Sequence, residues 1–422
     1  MPLFNIDFNV LMKKRIWLIN QFAMPPQYEV RIQTLKRAQY LMEFGYDVTI
    51  ISGSYIHNTA LNLIGGNRRY IEKEYDGVKY IHIKTNSYKG NSVSRLINLL
   101  IFPIRLLTLA KRFERPDVIS HLATVPFGNL IYFLARRLRA KFIVDVVDLW
   151  PESFVAYGLI SRNNPIVKLA YIAEKWYYER ADEIVFSMEG GKQYIIEKGW
   201  DIDSGGNIDL RKVHYINNGV DLEDFDLNKT LFKISDPDLE NKSIFNVLYI
   251  GSIRLANNLR QLIDAAECLK ANKRIQFLIY GDGEDRIGLE EYCRSKELNN
   301  VKFKQKWIEL KYVPYILSQS SLNILNYMPS PIAEFGGSQS KSFQYMASGK
   351  PICANVKFGY CPITQYNLGL AESFNSPQDY ANAILSFLEM SPKEYEVMCF
   401  NARKLAENYD YKVLTRKFEA LL

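Results

Sequence analysis

Cysteine and histidine are scarce in this sequence, and neither is spaced to hold a metal. The five cysteines (Cys268, Cys293, Cys353, Cys361 and Cys399) are odd in number and form no CxxC pair. That pattern argues against a disulfide framework and a thiolate zinc site, and it suits small core thiols in a reducing cytoplasm. The four histidines make no HExxH, so no metal is expected. Long blocks of lysine and arginine are also absent: the net charge of +7 is spread along the chain, which leaves a nucleic-acid partner without its electrostatic footprint. Such a surface suits an anionic small ligand or an anionic membrane face. The stretch Met1 to Met12 has no basic start and is interrupted by Asn5, Asp7 and Asn9, so no signal peptide is expected. No GxGxxG follows the first strand-like run, so no dinucleotide site is expected there.

What is present is a folded α/β chain. With 422 residues, 48% apolar and 23% charged, it is long enough for two ordinary domains. RIWLINQF (15–22), a loop with Pro25 and Pro26, a helix over 29–44 and DVTIISG (47–53) make a strand, helix, strand opening. The alternation restarts at FNVLYIGSI and runs through QFLIYGDG, VKFK and SLNILNY. The predicted fold is two Rossmann-like, doubly wound parallel-sheet domains facing a cleft. We expect an N-terminal domain over 1–212, a polar interdomain linker over 213–242, a second domain over 243–391 and closing helices over 392–422.

Three stretches carry chemistry. SQSKSFQYMASGKP (338–351) predicts a short helix with an oxygen-bearing cap and a Gly349–Pro351 stop. Lys341, Gln344 and Ser348 share one face, and Phe343, Met346 and Ala347 make the core face. Gly336 and Gly337 lead into it, and a lysine sits in the first turn, a combination able to hold a phosphate. An ordinary capped helix has the same pattern. DLWPES (148–153) puts Asp148 and Glu152 beside Trp150 at the carboxyl end of a strand, where ligands bind in open α/β sheets. The carboxylates can grip sugar hydroxyls and the indole can stack on a sugar face; helix capping is the plainer role for Asp148. Val93 to Arg115 is apolar but interrupted by Arg95, Arg105, Lys111 and Arg112, and it reads as too short and broken to span a bilayer. It reads either as a buried crossover helix or as one whose exposed side lies on a membrane. Arg31, early in the first helix, could face a ligand or simply be solvated.

These residues resemble a known family. YIGS, IYGDGE and SKSFQYMASGKP are similar to the donor domain of GT-B glycosyltransferases of retaining family 4. DLWPES with ERADEIV and YINNGVD resembles the subgroup of bacterial fucosyl- and N-acetylfucosaminyltransferases of O-antigen and exopolysaccharide assembly. The likeness covers nearly the whole chain. It implies a nucleotide-diphosphate sugar held mainly by the second domain, an acceptor held by the first, and a last helix crossing back. The implied donor-binding set is Gly251, Ser252, Arg254, Asn257, Gly281, Trp307, Glu334, Gly337, Ser340, Lys341 and Gln344. Asp148, Glu152 and Lys341 are the implied catalytic set, and Arg31, Trp150 and Arg105 the acceptor set. The partners implied are a nucleotide sugar, a lipid-linked saccharide and a peripheral surface on the inner face of the cytoplasmic membrane, with no metal and no other cofactor.

The chain departs from the family pattern at several positions. Gln344 stands where the family has a ribose-gripping glutamate, and Gly336 at its other glutamate position, with Glu334 the nearest carboxylate. Ser252 and Asn257 lie in the loop where relatives show an arginine and a lysine, and Val147 replaces a histidine. A degenerate relative that binds sugar nucleotides or a protein partner without turnover is the alternative these departures raise. A sugar-nucleotide epimerase is a further alternative, disfavoured because its acid and base carboxylates are missing.

Overall fold

The computed structural model describes residues 13–28, 32–57, 59–90, 93–123 and 127–422. Arg31 and the Met1 to Met12 stretch therefore lie outside the described residues. The first sheet has eight strands in the order β3-β4-β2-β1-β5-β6-β7-β8. They are β1 (Arg15–Ile19), β2 (Asp47–Gly53), β3 (Tyr70–Tyr75), β4 (Val78–Ile83), β5 (Val118–Leu122), β6 (Lys141–Val146), β7 (Glu183–Phe186) and β8 (Val213–Tyr215). Between them run α1 (Gln33–Glu43), α2 (Val93–Leu109), α3 (Asn129–Leu138), α4 (Glu152–Ala156), α5 (Pro165–Arg180) and α6 (Gly191–Glu197). β1 pairs in parallel with β2 and β5, so that Ile16 lies opposite both Val48 and Val118. Central strands such as β1 and β2 are buried almost throughout, which is why they read as continuous apolar runs and not as alternation.

The second sheet is six-stranded, ordered β11-β10-β9-β12-β13-β14. Its strands are β9 (Phe245–Ile250), β10 (Ile275–Tyr280), β11 (Val301–Phe303), β12 (Leu322–Leu325), β13 (Ile352–Ala354) and β14 (Gly369–Ala371). All of its pairings are parallel. The helices are α7 (Leu222–Leu231), α8 (Pro237–Glu240), α9 (Leu259–Cys268), α10 (Arg286–Ser295), α11 (Val313–Gln319), α12 (Ser340–Ala347), α13 (Pro362–Gln365), α14 (Pro377–Glu389), α15 (Pro392–Ala406) and α16 (Tyr411–Glu419). The two-residue strand period divides the core. Leu248, Ile250, Leu278 and Tyr280 pack on the face shared with α11, α12 and α15. Val247, Tyr249, Phe277 and Ile279 pack on the face of α9, α10 and α14.

Residues 1–146, 170–184 and 419–422 form one compact unit, and 147–169 with 185–418 form the other. Residues 213–242, expected as a linker, hold β8, α7 and α8. That segment is folded because its polar residues are partnered: Asp236 accepts hydrogen bonds from Tyr280 and Lys304, and Asp221 caps α7.

Three further differences have physical causes. β3 and β4 form an antiparallel hairpin that the apolar-run reading passed over. Its turn, Asp76–Gly77, has φ +49° and +77°, the two left-handed positions of a two-residue hairpin turn. The helix from Val93 to Arg112 spans 20 residues at mean hydropathy 1.6, so it is not too short to cross a bilayer; only a third of its apolar stretch is buried in the fold, less than a core helix would bury. Finally, α12 begins without the side-chain cap expected from Ser-Gln-Ser. Gln339 is its N-cap and makes no capping bond.

Candidate active site

Lys341 sits in the first turn of α12, where its side chain lies across the carboxyl end of β9. Its ammonium is 2.8 Å from the Tyr249 hydroxyl and 4.4 Å from the centre of that ring. Tyr249 is fully buried and donates its own proton to the Ser252 carbonyl at 2.6 Å. Its hydroxyl is therefore an acceptor toward Lys341. No carboxylate among the described residues pairs with this lysine, and burial pushes its ammonium down to about 7.

Glycine makes this geometry possible. Gly251 has φ +141°, and a Cβ there would meet Lys341 Cε at 2.4 Å and Nζ at 2.6 Å. Gly281, with φ +123°, leaves room for the Gly251 carbonyl, which a Cβ would approach to 1.9 Å. Two strand ends thus converge under one cation, the arrangement by which a backbone approaches a ligand closely.

The other residues expected on the donor side fall around this centre or apart from it. In the loop after Gly251, Ser252 hydrogen-bonds Asn257 at 3.0 Å, while Arg254 is exposed. Gln344 is half-buried on the same face of α12 as Lys341. Glu334 is exposed in the turn Pro331–Phe335. Gly337 follows that turn, and its carbonyl accepts from Asn217 at 3.1 Å, a buried residue of the YINNGVD run. Ser340 is the first residue of α12. Trp307, after β11, is 75% exposed.

The DLWPES residues divide by burial. Asp148 is exposed, and Trp150 stands edge-on to Phe154 with ring centres 6.3 Å apart. Glu152 is buried, and its two oxygens face Arg162, at 2.5 Å, and Lys198. It ties the start of α4 to the following loop and to the end of α6. α4 also packs against the Pro331–Phe335 turn, bringing DLWPES beside the approach to α12. Arg105, on α2, donates to the Lys84 carbonyl at 2.6 Å. No group of three metal-ligating side chains occurs among the described residues.

Tyr249, Asn217, Arg162 and Lys198 were not singled out in the sequence. The signal for Tyr249 is its place: a tyrosine two residues before a strand-end glycine has its ring under that end. Arg162 and Lys198 have no comparable signal, since they meet Glu152 only through the fold.

Two family profiles account for most of the chain: Glycosyltransferase Family 4 over residues 30–224 and Glycosyl transferases group 1 over 233–405. The chain belongs to the group 1, family 4-like glycosyltransferases. No curated protein matches its sequence. Solved structures resemble it along its length. HepE from Anabaena, in complex with UDP and glucose, is 14% identical with a TM-score of 0.65, over 96% of this chain and 98% of that one. An alpha,alpha-trehalose-phosphate synthase (UDP-forming) from Burkholderia vietnamiensis is 13% identical at 0.72, over 97% and 98%. Sucrose-phosphate synthase from Thermosynechococcus elongatus is 15% identical at 0.67, also over 97% and 98%. At these identities the likeness is one of fold: this glycosyltransferase has the two parallel-sheet α/β architecture called GT-B.

Proposed function

We propose that this glycosyltransferase transfers a sugar, with retention, from a UDP- or GDP-linked donor to a lipid-linked saccharide. The donor sugar is of the fucose or N-acetylated deoxy type, and the setting is bacterial surface polysaccharide assembly (O-antigen, capsule or exopolysaccharide) at the inner face of the cytoplasmic membrane. The single observation that carries the donor half is Lys341, a cation with no carboxylate partner among the described residues, laid over Gly251 at the carboxyl edge of the second sheet. HepE holds UDP and glucose, which supports a nucleotide sugar as the ligand. Lipopolysaccharide assembly and the acceptor rest on the resemblance of DLWPES and YINNGVD, and the membrane surface on the exposed Val93, Leu96, Ile97 and Ile104 of α2.

In the proposed reaction, cleavage of the bond from the anomeric carbon to the diphosphate oxygen leaves both electrons on that oxygen. Lys341, Arg254 and the first amides of α12 stabilise the growing charge. Charge supplied by the protein in this way motivates a metal-independent reaction. The acceptor hydroxyl attacks the same face, and its proton passes to the departing phosphate, so no protein nucleophile is needed and Val147 in place of a histidine is tolerated. Asp148 positions a sugar hydroxyl, while Glu152 acts by holding α4 in place through Arg162 and Lys198.

Titration with UDP, GDP, ADP and their nucleosides, with and without magnesium, tests this reading. Selection of one diphosphate without metal is expected, followed by transfer to a lipid-linked acceptor. Binding without transfer would favour the degenerate relative raised by Gln344 and Ser252, and no binding at all would remove the donor site.

A further inference from the structure

A second apolar surface lies away from α2, in the segment that follows DLWPES. Phe154 and Tyr157 of α4 and its end are exposed, and Leu159 in the next turn is 71% exposed. α5 then presents Ile166 at 70%, Leu169 at 65% and Ile172 at 64%. These last three fall at i, i+3 and i+6, one row along the helix. The opposite row, Val167, Glu174 and Tyr178, is buried. An ordinary surface helix would place polar residues where Ile166, Leu169 and Ile172 stand, so the exposed side of α5 is apolar over its first half. Isolated exposed apolar residues need no explanation, whereas a run of six large ones does.

Charge distinguishes the candidate occupants. From Ser153 to Ala173 the sequence holds no aspartate or glutamate, and its charged residues are Arg162 and Lys168. Both are exposed, and Arg162 reaches back to the buried Glu152. A second copy of this chain would bring like charges together. An anionic bilayer would accept the isoleucines and leucines into its interface and hold Lys168 at its phosphates, Arg162 being engaged by Glu152.

We propose that the Phe154–Ile172 segment inserts into the surface of an anionic membrane. The inference rests on the membrane-bound part of the proposed function, and it moves the principal contact from α2 to the start of α5. The consequence is geometric: the segment that follows Asp148 is itself the anchor, so a lipid-linked acceptor would be presented beside DLWPES.

The test uses the whole protein and flotation with vesicles of phosphatidylglycerol and phosphatidylethanolamine, against phosphatidylcholine alone. Wild type is expected to float with the anionic vesicles, less so at high salt. The combined variant Leu159→Glu, Ile166→Glu, Leu169→Glu should bind them about tenfold or more weakly, and the milder triple change of the same residues to Ser should weaken binding in the same direction. Equal flotation of wild type and both triple variants, or loss only in a Leu96→Glu, Ile97→Glu variant of α2, would overturn the proposal. So would a wild type that ignores vesicles, whether it stays monomeric or sediments as a dimer that the triple variants dissociate. Diphosphate titration of each variant is the parallel readout. Unchanged nucleotide binding with lost flotation isolates the membrane surface, whereas flotation without nucleotide binding would sink the donor-site reading and leave this one standing.

Discussion

Lys341 and Glu152 are both charged groups set into the fold beside the predicted chemistry, and their surroundings are opposite. Glu152 is a carboxylate already held by Arg162 and Lys198. Among the described residues, Lys341 is a cation met by a phenol oxygen and the face of its ring and by no carboxylate. A satisfied charge holds the fold together; a buried charge without its counter-charge costs stability unless a ligand supplies it. Glu152 is thus a motif residue whose charge is already met, and Lys341 is the one for which an anionic ligand is proposed.

The largest expected effect follows from removing the unsatisfied partner. Lys341→Ala should weaken diphosphate binding by about a hundredfold and leave nucleoside binding nearly unchanged, as calorimetry would read; equal loss for both would erase the contrast. Glu152→Gln should act on the fold instead. It should lower stability by roughly 1–3 kcal/mol, below the value for a fully buried pair because Arg162 is largely exposed, while diphosphate affinity holds. A Glu152→Gln enzyme with an unaltered melting temperature but no transfer would instead make Glu152 a substrate contact. Tyr249→Phe probes the other side of the same pair: losing the phenol oxygen removes the acceptor for Lys341 and the donor to the Ser252 carbonyl, so it should weaken the diphosphate by about tenfold and lower stability by about 1–3 kcal/mol.

The pH dependence is the smallest effect, and its sign is fixed. Because the Lys341 ammonium lies at about 7 in the free protein, the unfolded chain binds more protons than the folded one between that value and the ordinary lysine range. Stability of the ligand-free protein should therefore rise with pH across that window. Diphosphate affinity should fall over the same window, since the anion needs the charged form. In the first sheet, burial pushes His121 down to about 3 and His82 to about 4. Stability from those residues should fade as pH drops below about 6.5, where the unfolded histidines take up protons. A flat melting curve from pH 5 to 9 would contradict both halves.

Much of this was legible in the sequence because it is local. The runs RIWLI, DVTIISG and FNVLYI became β1, β2 and β9, since a strand buried on both faces is written as continuous apolar residues. Lys341 and Gln344 share a face, with Phe343 and Met346 buried behind them, because helical spacing alone decides it. The hairpin of β3 and β4 was written in Asp76–Gly77, although Tyr70–Tyr75 is too polar to read as a strand by its apolar content. The partners of Glu152 and the phenol under Lys341 were not legible. They lie 10, 46 and 92 residues away in sequence, and nothing in their local patterns announces the meeting.

Gly251 bears on how such a site can be lost over generations. The lysine occupies the volume that any side chain at position 251 would need. A lineage that gains a side chain there must first, or at once, give up the lysine's present pose, and because the backbone sits at φ +141° the loss of the lysine alone does not release the glycine. The glycine can therefore outlast the lysine, so a glycine kept at 251 says little about the anion place by itself, and the lysine is the position that records it.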